Sequence, residues 1–345
     1  MVAGLSAACA STIAQTPAAS RSGEIDKAWE QPLGAAPAGL VAGLDHAIVF
    51  ASTDGVRAYD AREGQPAWAL ALPAVLAPAT AGDQVFVAAG VQLHAIQERG
   101  GTARWIRDLG APAVALVAHA DRVIAATART LRAWSADGTP LWERAFAADI
   151  QPGRLVADLG AVYLVLADHT LVMSDAATGA PRWTRRLASA PRALAAAAGR
   201  LYFGGADRAL YAYDERGSQA WRFPRVDVLG APAADAESVY AALWDNTVLA
   251  FAASNGHRRW RSDLPARPAR GPMLAGESLL APLATAVVLA LPTETGLATA
   301  PPAPAATRSR DRLVAAALSQ DGSQVFALVL LEGGSWRLVA YRRTP

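Results

Sequence analysis

The sequence predicts an all-β protein: an eight-bladed β-propeller of four-stranded antiparallel blades, with the ring closed by an N-terminal strand. Two observations lead to this fold class. First, a glycine followed four residues later by a tryptophan recurs along the chain, and successive tryptophans lie 37 to 41 residues apart. Second, each interval holds several short apolar runs separated by polar turns. Four short strands in about 40 residues are typical of one propeller blade. The pairs are Gly64/Trp68, Gly101/Trp105, Gly138/Trp142, Gly179/Trp183, Gly217/Trp221 and Gly256/Trp260.

The unit at residues 193–224 illustrates one blade. Residues 201–205 and 209–214 form short β-rich runs, and residues 219–223 form a third. A stretch of small apolar residues, 193–198, comes before them. Polar or glycine-containing turns separate these runs, so the unit is interpreted as four antiparallel strands joined by tight turns.

The recurring tryptophan is predicted to fill the wedge between neighbouring blades, where its indole N–H finds a carbonyl oxygen. This structural role is assigned to Trp29, Trp68, Trp105, Trp142, Trp183, Trp221 and Trp260. A glycine supplies the positive φ of each tight turn, and these glycines are Gly64, Gly101, Gly138, Gly179, Gly217, Gly256 and Gly296. Asp60, Asp175 and Asp214 end the third strands, where their carboxylates can accept hydrogen bonds from turn N–H groups.

The blades follow one another along the chain. The first six are expected at residues 37–72, 75–109, 112–146, 153–187, 191–224 and 232–264. The seventh, from about residue 271, is degenerate, because Ala300 stands in place of the tryptophan. Residues 300–306 contain only alanine and proline, and proline cannot donate to a strand ladder, so this segment suits an edge at best.

Both ends of the chain are expected to build the eighth blade. Residues 311–345 supply three strands, one short of a blade, and residues 24–33 hold Trp29 without partner strands of their own. Pairing them would close the ring and remove an open edge. The predicted propeller domain therefore spans residues 24–345, and residues 1–23 are interpreted as a signal remnant or tether.

A β-sandwich is the alternative fold, because it also has short strands at regular spacing. Sandwiches do not repeat one turn-and-tryptophan phrase at a fixed period, however. Helical repeats are disfavoured because several units carry runs of period two. We therefore expect one closed propeller in the 345 residues rather than two ordinary domains.

Composition excludes several functions. The net charge is only +2, and no basic run interleaved with aromatic residues is present, so nucleic acid is not an expected partner. Lys27 is the only lysine, which we interpret as compositional bias. Mean hydropathy is +0.18, with much alanine among the apolar residues. No run of 18 strongly apolar residues follows the N-terminus, so no transmembrane helix is expected.

The sequence offers no catalytic, metal-binding or cofactor-binding constellation. The five histidines fall in different units without metal-ligand spacing. No Gly-x-Ser-x-Gly motif or phosphate-binding loop is present. A single cysteine, Cys9, excludes an internal disulfide and a multi-cysteine metal site. We therefore expect a protein that is not an enzyme, with no catalytic residue, metal or cofactor.

Cys9 follows several small residues, as the modified cysteine of a bacterial lipoprotein does, and is the candidate for lipidation. Two interpretations stay open. Met1 could lie inside a longer signal, so that Cys9 becomes the lipidated first residue and anchors the protein to a membrane. Alternatively, the segment is an apolar leader of a secreted protein, because a basic start and a long apolar core are absent.

The phrase at residues 59–68, Tyr-Asp-Ala-Arg-Glu-Gly-Gln-Pro-Ala-Trp, resembles the quinoprotein-type (PQQ-like) propeller repeat. Similar phrases begin at Asp175 and Asp214 of this chain, and the resemblance covers almost the whole chain from Glu24. This repeat is shared by quinoprotein alcohol and sugar dehydrogenases and by non-catalytic BamB-type lipoproteins of the outer-membrane β-barrel assembly machinery. The phrase specifies the fold and leaves the function open.

The dehydrogenase resemblance would imply PQQ held on Ca²⁺ in the central channel against a tryptophan, often below adjacent cysteines. Adjacent cysteines are impossible here, and the chain lacks the long insertions of those enzymes. Trp134 and Trp244 lie outside the repeat position and could stack a cofactor, although core or rim packing is the favoured interpretation. A PQQ-dependent oxidoreductase using calcium is therefore the alternative function.

The assembly-lipoprotein resemblance agrees with the length, the eight blades and the N-terminal tether. That family docks through a leucine-rich loop ending in arginine and a paired-aspartate loop. Residues 147–159 hold no Leu-x-Leu-Arg sequence, and residues 225–230 keep only Asp227, the candidate for partner binding. We expect a non-catalytic, periplasmic protein-binding scaffold, anchored to the outer membrane if Cys9 is lipidated. A propeller of this repeat with another role remains open.

Overall fold

The computed structural model describes residues 25–34, 36–42, 47–297, 311–319 and 321–343. Within these residues it contains eight antiparallel sheets and no helix, so the predicted all-β, eight-bladed propeller is confirmed. No helix that could span a membrane occurs in the described part of the chain. The predictions for residues 1–23, Cys9, His46 and Ala300 concern positions outside the described residues.

The strands are numbered in chain order, and β1 (Ile25–Leu33) precedes the first blade. Blade one comprises β2 (Pro37–Ala42), β3 (Ala47–Ser52), β4 (Gly55–Asp60) and β5 (Pro66–Leu70), and blade two comprises β6 (Ala79–Ala81), β7 (Gln84–Ala89), β8 (Gln92–Gln97) and β9 (Ala103–Asp108). Blade three comprises β10 (Ala115–His119), β11 (Arg122–Ala126), β12 (Thr130–Ser135) and β13 (Pro140–Ala145), and blade four comprises β14 (Ile150–Asp158), β15 (Ala161–Leu166), β16 (Thr170–Asp175) and β17 (Pro181–Arg186).

Blade five comprises β18 (Pro191–Ala197), β19 (Arg200–Gly205), β20 (Ala209–Tyr213) and β21 (Gln219–Pro224), and blade six comprises β22 (Ala233–Ala234), β23 (Ser238–Ala242), β24 (Thr247–Ala252) and β25 (Arg258–Asp263). Blade seven comprises β26 (Met273–Ala275), β27 (Ser278–Pro282) and β28 (Val288–Pro292). Blade eight comprises β29 (Arg312–Leu318), β30 (Gln324–Leu330) and β31 (Trp336–Arg343), together with β1.

Both ends of the chain meet in blade eight, as predicted. Its strand order is β1-β31-β30-β29, and β1 runs antiparallel to β31 from the Ile25–Arg343 pair to the Leu33–Trp336 pair. The ring is thus closed by hydrogen bonds between the first and last described strands rather than by a covalent link. Blade seven has three strands among the described residues, and its expected fourth strand falls where the structure describes no residues.

The core lies between blades. The second strands are buried along their length, as in β3 and β15, whereas the fourth strands are mostly exposed, as in β17. Eight apolar clusters span the eight seams between adjacent blades. A single four-stranded sheet cannot bury both of its faces, so each blade depends on its neighbours for stability. Burying one large apolar side chain, such as the fully buried Phe50, contributes about 2 kcal/mol.

The inner strands vary in length, and several are rich in small residues. The inner strand of blade five reads Pro-Arg-Ala-Leu-Ala-Ala-Ala, and that of blade six is reduced to Ala233–Ala234. Small side chains suit this position because all inner strands converge around the axis of the ring. The disc has two sides. The side that carries the turns between second and third strands, together with the connections from blade to blade, is called the connection face.

Candidate functional site

The turn between the third and fourth strands is built the same way in several blades. In blade one, a carboxylate oxygen of Asp60 accepts hydrogen bonds from the backbone N–H groups of Arg62 and Glu63, both at 2.8 Å. The N–H of Gly64 then donates to the carbonyl of Asp60 at 2.9 Å, and Gly64 has a φ of 72°. Asp175 repeats this arrangement in blade four. The turn residues identified in the sequence therefore act through backbone capping.

A β-bulge follows this turn in each of the first six blades. The register of the third and fourth strands shifts by one residue just before the repeated tryptophan. In blade three, for example, Ala133 lies opposite Trp142, while Trp134 lies opposite Pro140, so Leu141 is the extra residue. Bulges re-aim the side chain that follows them, and here that side chain is the tryptophan.

All seven repeated tryptophans lie at seams between blades. Each ring lies against the turn glycine of the next blade, so that a Cβ at Gly179, for example, would lie 2.5 Å from ring carbons of Trp142. Each indole N–H also donates to a backbone carbonyl of that next blade, at 2.6 to 3.0 Å. The donor–acceptor pairs are Trp29–Ala61, Trp68–Glu98, Trp105–Ala136, Trp142–Ala176, Trp183–Glu215, Trp221–Ala253 and Trp260–Thr293.

Arginines two residues after the tryptophan reinforce three of these seams. The Nε atoms of Arg107, Arg144 and Arg185 donate to the carbonyls of Gly138, Gly179 and Gly217, at 2.8 to 3.1 Å. The guanidinium groups of Arg107 and Arg185 also lie over the preceding indoles, 5.4 and 5.9 Å from the ring centroids. No role was assigned to these arginines from the sequence. The recurring Trp-x-Arg spacing is the signal that could have shown it.

The seam between blades seven and eight differs from the others. No indole bonds across it among the described residues; instead, the Tyr341 hydroxyl donates to the Ala286 carbonyl at 2.9 Å. Burial raises the pKa of Tyr341 to about 12, so this phenol stays protonated and remains a donor at any physiological pH. Arg270 donates to the carbonyl of Ala316 across the same seam. A hydroxyl and a guanidinium thus bond across this seam, at places other than those that the indoles occupy elsewhere.

Titratable groups do not converge on a reaction centre in the described residues. No group of three or more His, Cys, Asp and Glu side chains lies close enough to hold a metal ion there. His94 is buried on the third strand of blade two, and burial lowers its pKa. Trp134, one of the two tryptophans considered for cofactor stacking, is buried in the apolar cluster between blades two and three. The other, Trp244, lies at the surface.

Trp244 is the centre of the candidate interaction site. It occupies the turn between β23 and β24 on the connection face, and 46 % of its surface is exposed. The guanidinium of Arg267, from the connection between blades six and seven, lies over its ring at 5.3 Å from the centroid. The backbone N–H of Trp244 donates to the carbonyl of Asp227 at 3.1 Å. An exposed tryptophan is thus held in place on one side by a cation and at its backbone by a neighbouring connection.

Asp227, the partner-binding candidate, lies beside Trp244 in the connection between blades five and six. Its carboxylate forms an ion pair with Arg192, at the start of the inner strand of blade five, with a separation of 3.2 Å. Both side chains are about one-third exposed. Asp227 therefore lies at the inner edge of the same surface. We call this surface the blade 5–7 strip, and it comprises Arg192, Arg208, Arg225, Asp227, Trp244 and Arg267.

Comparisons with known proteins identify the family to which the chain belongs. The repeat and the ring of eight blades define the class, a propeller of quinoprotein-type repeats. The sequence profile of the family described as outer membrane protein assembly factor BamB matches residues 21–130, 52–194, 127–226 and 188–343. These matches cover most of the chain, which therefore belongs to this family. No curated protein matches the sequence.

Solved structures with this fold include proteins of different kinds. BamB from Moraxella catarrhalis is 20% identical, with a TM-score of 0.66, over 92% of this chain and 98% of its own. The computationally designed Ika8 protein is 15% identical, with a TM-score of 0.73, over 92% and 100%. Saccharomyces cerevisiae Sqt1 is 12% identical, with a TM-score of 0.72, over 93% and 99%. At these identities the likeness shows the fold alone.

Proposed function

We propose that this protein is a non-catalytic, protein-binding propeller of the bacterial envelope that assists the assembly of outer-membrane β-barrel proteins. Membership of the BamB family supports this role. The observation that carries it in the structure is the exposed Trp244, held by Arg267 beside Asp227 on the connection face. Tryptophan and arginine are the residue types that most often dominate the binding energy of protein interfaces.

The scaffold supports a binding role because it is rigid where the strip is attached. Val226 and Val228, which flank Asp227 in the chain, are buried in the apolar cluster between blades five and six. Leu229 donates its backbone N–H to the carbonyl of Ala242, which ties the connection to the second strand of blade six. A connection anchored at both ends presents its polar residues in one arrangement, so little conformational entropy is lost on binding.

The family also suggests where the protein works. We propose a periplasmic location, with attachment to the outer membrane through a lipid on Cys9. Incubating cells with a labelled fatty acid, using the full upstream reading frame, should label the wild type and leave a Cys9→Ala variant unlabelled. An unlabelled wild type would remove the anchor and leave the rest of the proposal standing.

Site-specific photo-cross-linking tests the docking surface. A benzophenone amino acid at position 245, next to Trp244, should yield a covalent adduct that contains a subunit of the outer-membrane assembly machinery. The matched control carries the same probe at position 216, an exposed residue of the same pair of blades on the opposite face, and should give no such adduct. Adducts with that subunit from both positions, or from neither, would contradict the proposed surface.

The enzymatic alternative has its own assay. A PQQ-dependent oxidoreductase would show a saturable absorbance change with added PQQ and Ca²⁺, and dye-linked oxidation of alcohols or sugars. We expect neither, because the described residues contain no group of three or more His, Cys, Asp and Glu side chains that could hold a metal ion, and so no carboxylate cluster of the kind that binds calcium. A positive result in both measurements would replace the scaffold proposal.

A further inference from the structure

The blade 5–7 strip carries an excess of positive charge that the protein does not neutralise. Arg208, Arg225 and Arg267 are exposed, and none forms an ion pair with another described residue. The neighbouring acids are already engaged. Asp227 pairs with Arg192 at 3.2 Å, and Asp207 pairs with Arg222 at 2.8 Å. Of the aspartates beside the strip, only Asp245 has no cationic partner among the described residues, and it accepts a hydrogen bond from the Thr247 hydroxyl at 2.6 Å.

Backbone hydrogen bonds and one cation–π contact join the three arginines to Trp244 in one row. The N–H of Val226 donates to the carbonyl of Arg208 at 3.0 Å, which places Arg225 beside Arg208. Asp227 follows Arg225 by two residues in the same connection, and its carbonyl accepts a hydrogen bond from the backbone N–H of Trp244. Arg267 then lies over the indole, and its own carbonyl accepts from Ala284 at 2.8 Å. The row thus crosses from blade five to blade seven through these hydrogen bonds and the contact of Arg267 with the indole.

The backbone at Arg208 and Arg225 is left-handed, and the corresponding turn residues His169 of blade four and Ala286 of blade seven share the conformation of Arg208. Arg208 and Arg225 have positive φ values of 60° and 63°, in the left-handed region that residues other than glycine, asparagine and aspartate rarely adopt. Asn246, two residues after Trp244, also lies in this region, at 64°. The bonds from Arg208 N–H to Gly205 and from Val226 N–H to Arg208 hold the backbone here, and so fix where each of the two arginine side chains leaves the surface.

We propose that the blade 5–7 strip binds an acidic, extended segment of its protein partner. Carboxylates of that segment form ion pairs with Arg208, Arg225 and Arg267, and an apolar side chain between them packs on Trp244. Guanidinium groups suit this task because they can form paired hydrogen bonds with a carboxylate and remain charged at all relevant pH values. This inference rests on the proposed protein-binding function and adds the chemistry of the partner.

The connection face of blades one to four does not offer the same chemistry. In blades one and two its exposed large apolar side chains are Val75 and Val91, and the exposed Asp54 pairs with Arg57. In blades three and four, Arg129 pairs with Asp149 and Arg186 with Asp168. An acidic segment would therefore be drawn to blades five to seven by charge complementarity rather than to the disc as a whole. Electrostatic complementarity of this kind mainly raises the association rate and selects the partner.

Binding of short labelled peptides to the full-length protein tests the inference. The first peptide alternates glutamate and aspartate around a central phenylalanine, and the second replaces every acid by its amide. We expect the acidic peptide to bind in fluorescence anisotropy at low salt and to weaken about tenfold as salt screens the ion pairs. The amide peptide is expected to bind at least about tenfold more weakly. Equal binding of the two peptides would overturn the inference.

Charge reversal provides the matched variants. Arg225→Glu with Arg267→Glu should weaken the acidic peptide about tenfold or more, and should create binding to a lysine analogue of the same peptide. The control, Arg216→Glu with Arg258→Glu, changes the same number of exposed, unpaired arginines in blades five and six, away from the strip, and should bind the acidic peptide normally. Equal weakening by the two double variants would show that the peptide responds to the net charge of the protein and not to the strip, which would overturn the inference.

Two further outcomes separate this inference from its alternatives. Binding of anionic phospholipid vesicles that Arg225→Glu with Arg267→Glu abolishes, without binding of the acidic peptide, would assign the strip to a lipid surface and overturn the inference. A cross-link from position 245 to an assembly subunit, without binding of the acidic peptide, would leave the proposed function standing and refute the partner chemistry. Binding of the acidic peptide without that cross-link would support the partner chemistry and refute the proposed role in outer-membrane assembly.

Discussion

The seven repeated tryptophans lie at seams between blades, whereas Trp244 lies exposed on the connection face. Each repeated indole lies against a glycine of the next blade and donates its N–H to a carbonyl there, as Trp142 does to Ala176 at 3.0 Å. Trp244 is 46 % exposed, and Arg267 lies over its ring. The comparison shows that an indole bonds to the next blade where a blade covers it and stays exposed where none does, and recognition is the role we propose for the exposed one. Four predictions test this contrast, from the largest expected effect to the smallest.

Removal of residues 25–33 should have the largest effect. The deletion takes β1 from β31 and removes the bond from the Trp29 indole to the Ala61 carbonyl, at 3.0 Å. It opens blade eight and uncovers the apolar cluster shared with blade one. We expect the melting temperature to fall by about 10 °C or more. A synthetic peptide of residues 25–33 should restore part of the loss, and a fall of only one or two degrees would show that β1 does not close the ring.

Replacement of an indole packed between blades should lower the free energy of unfolding more than replacement of the exposed indole. Trp142→Ala removes a large side chain between blades and its hydrogen bond, so the free energy of unfolding should fall by about 3 kcal/mol. Trp244→Ala should change it by less than about 0.5 kcal/mol and yet weaken partner binding. Urea titrations followed by circular dichroism measure both. Comparable losses of stability in the two variants would abolish the distinction between them.

The glycines opposite the indoles offer a sharper test. Gly179 and Gly199 both have positive φ, at 68° and 74°. A Cβ at Gly179 would meet the Trp142 ring, whereas a Cβ at Gly199 would meet nothing within 4 Å. Gly199→Ala should therefore cost only the conformational term, about 1 kcal/mol. Gly179→Ala should cost roughly 2 to 3 kcal/mol, because the indole must also move. Similar urea midpoints for the two variants would mean that the glycine contact does not hold the indole.

The turn carboxylate should give the smallest effect, and one that depends on pH. The hydrogen bond from Arg182, with those from the Thr178 and Ala177 N–H groups, holds the pKa of Asp175 below its usual value. Its stabilisation is therefore complete above the unfolded-state pKa of about 4 and is lost as pH falls through the lower folded-state value. Asp175→Asn should lower stability at pH 7 by less than about 1 kcal/mol, and this difference should shrink below about pH 4. A difference that stays constant from pH 7 to pH 2.5 would assign the effect to hydrogen bonding alone.

The outer junctions of the blades could be predicted because each is made from one local phrase. Asp175 caps its turn with N–H groups two and three residues away, and Gly179 adopts a conformation that its own backbone permits. These effects act within a few residues, so the sequence alone reveals them. Repetition then indicated that the same junction recurs around a ring.

The blade 5–7 strip could not be found in the same way. Arg208, Asp227, Trp244 and Arg267 are far apart in the chain, and no motif links them. From the sequence alone, Trp244 is assigned to packing or cofactor stacking, and Asp227 is singled out only by its place in a resemblance. Nothing local distinguishes an exposed tryptophan in a turn from a buried one. Only the packing of three blades side by side brings these residues together.

The sequence by itself determined the architecture: how many blades there are, where each turn lies, and that both termini contribute to one blade. It did so because hairpin turns, strand alternation and wedge-shaped aromatic contacts are governed by neighbouring residues and by a repeat. The tertiary structure alone decided which indole stays uncovered, which arginines keep a free charge, and that a phenol and a guanidinium bridge the seam where the tryptophan phrase fails. Burial and charge pairing depend on residues from different blades, and their distances are set only when the ring closes.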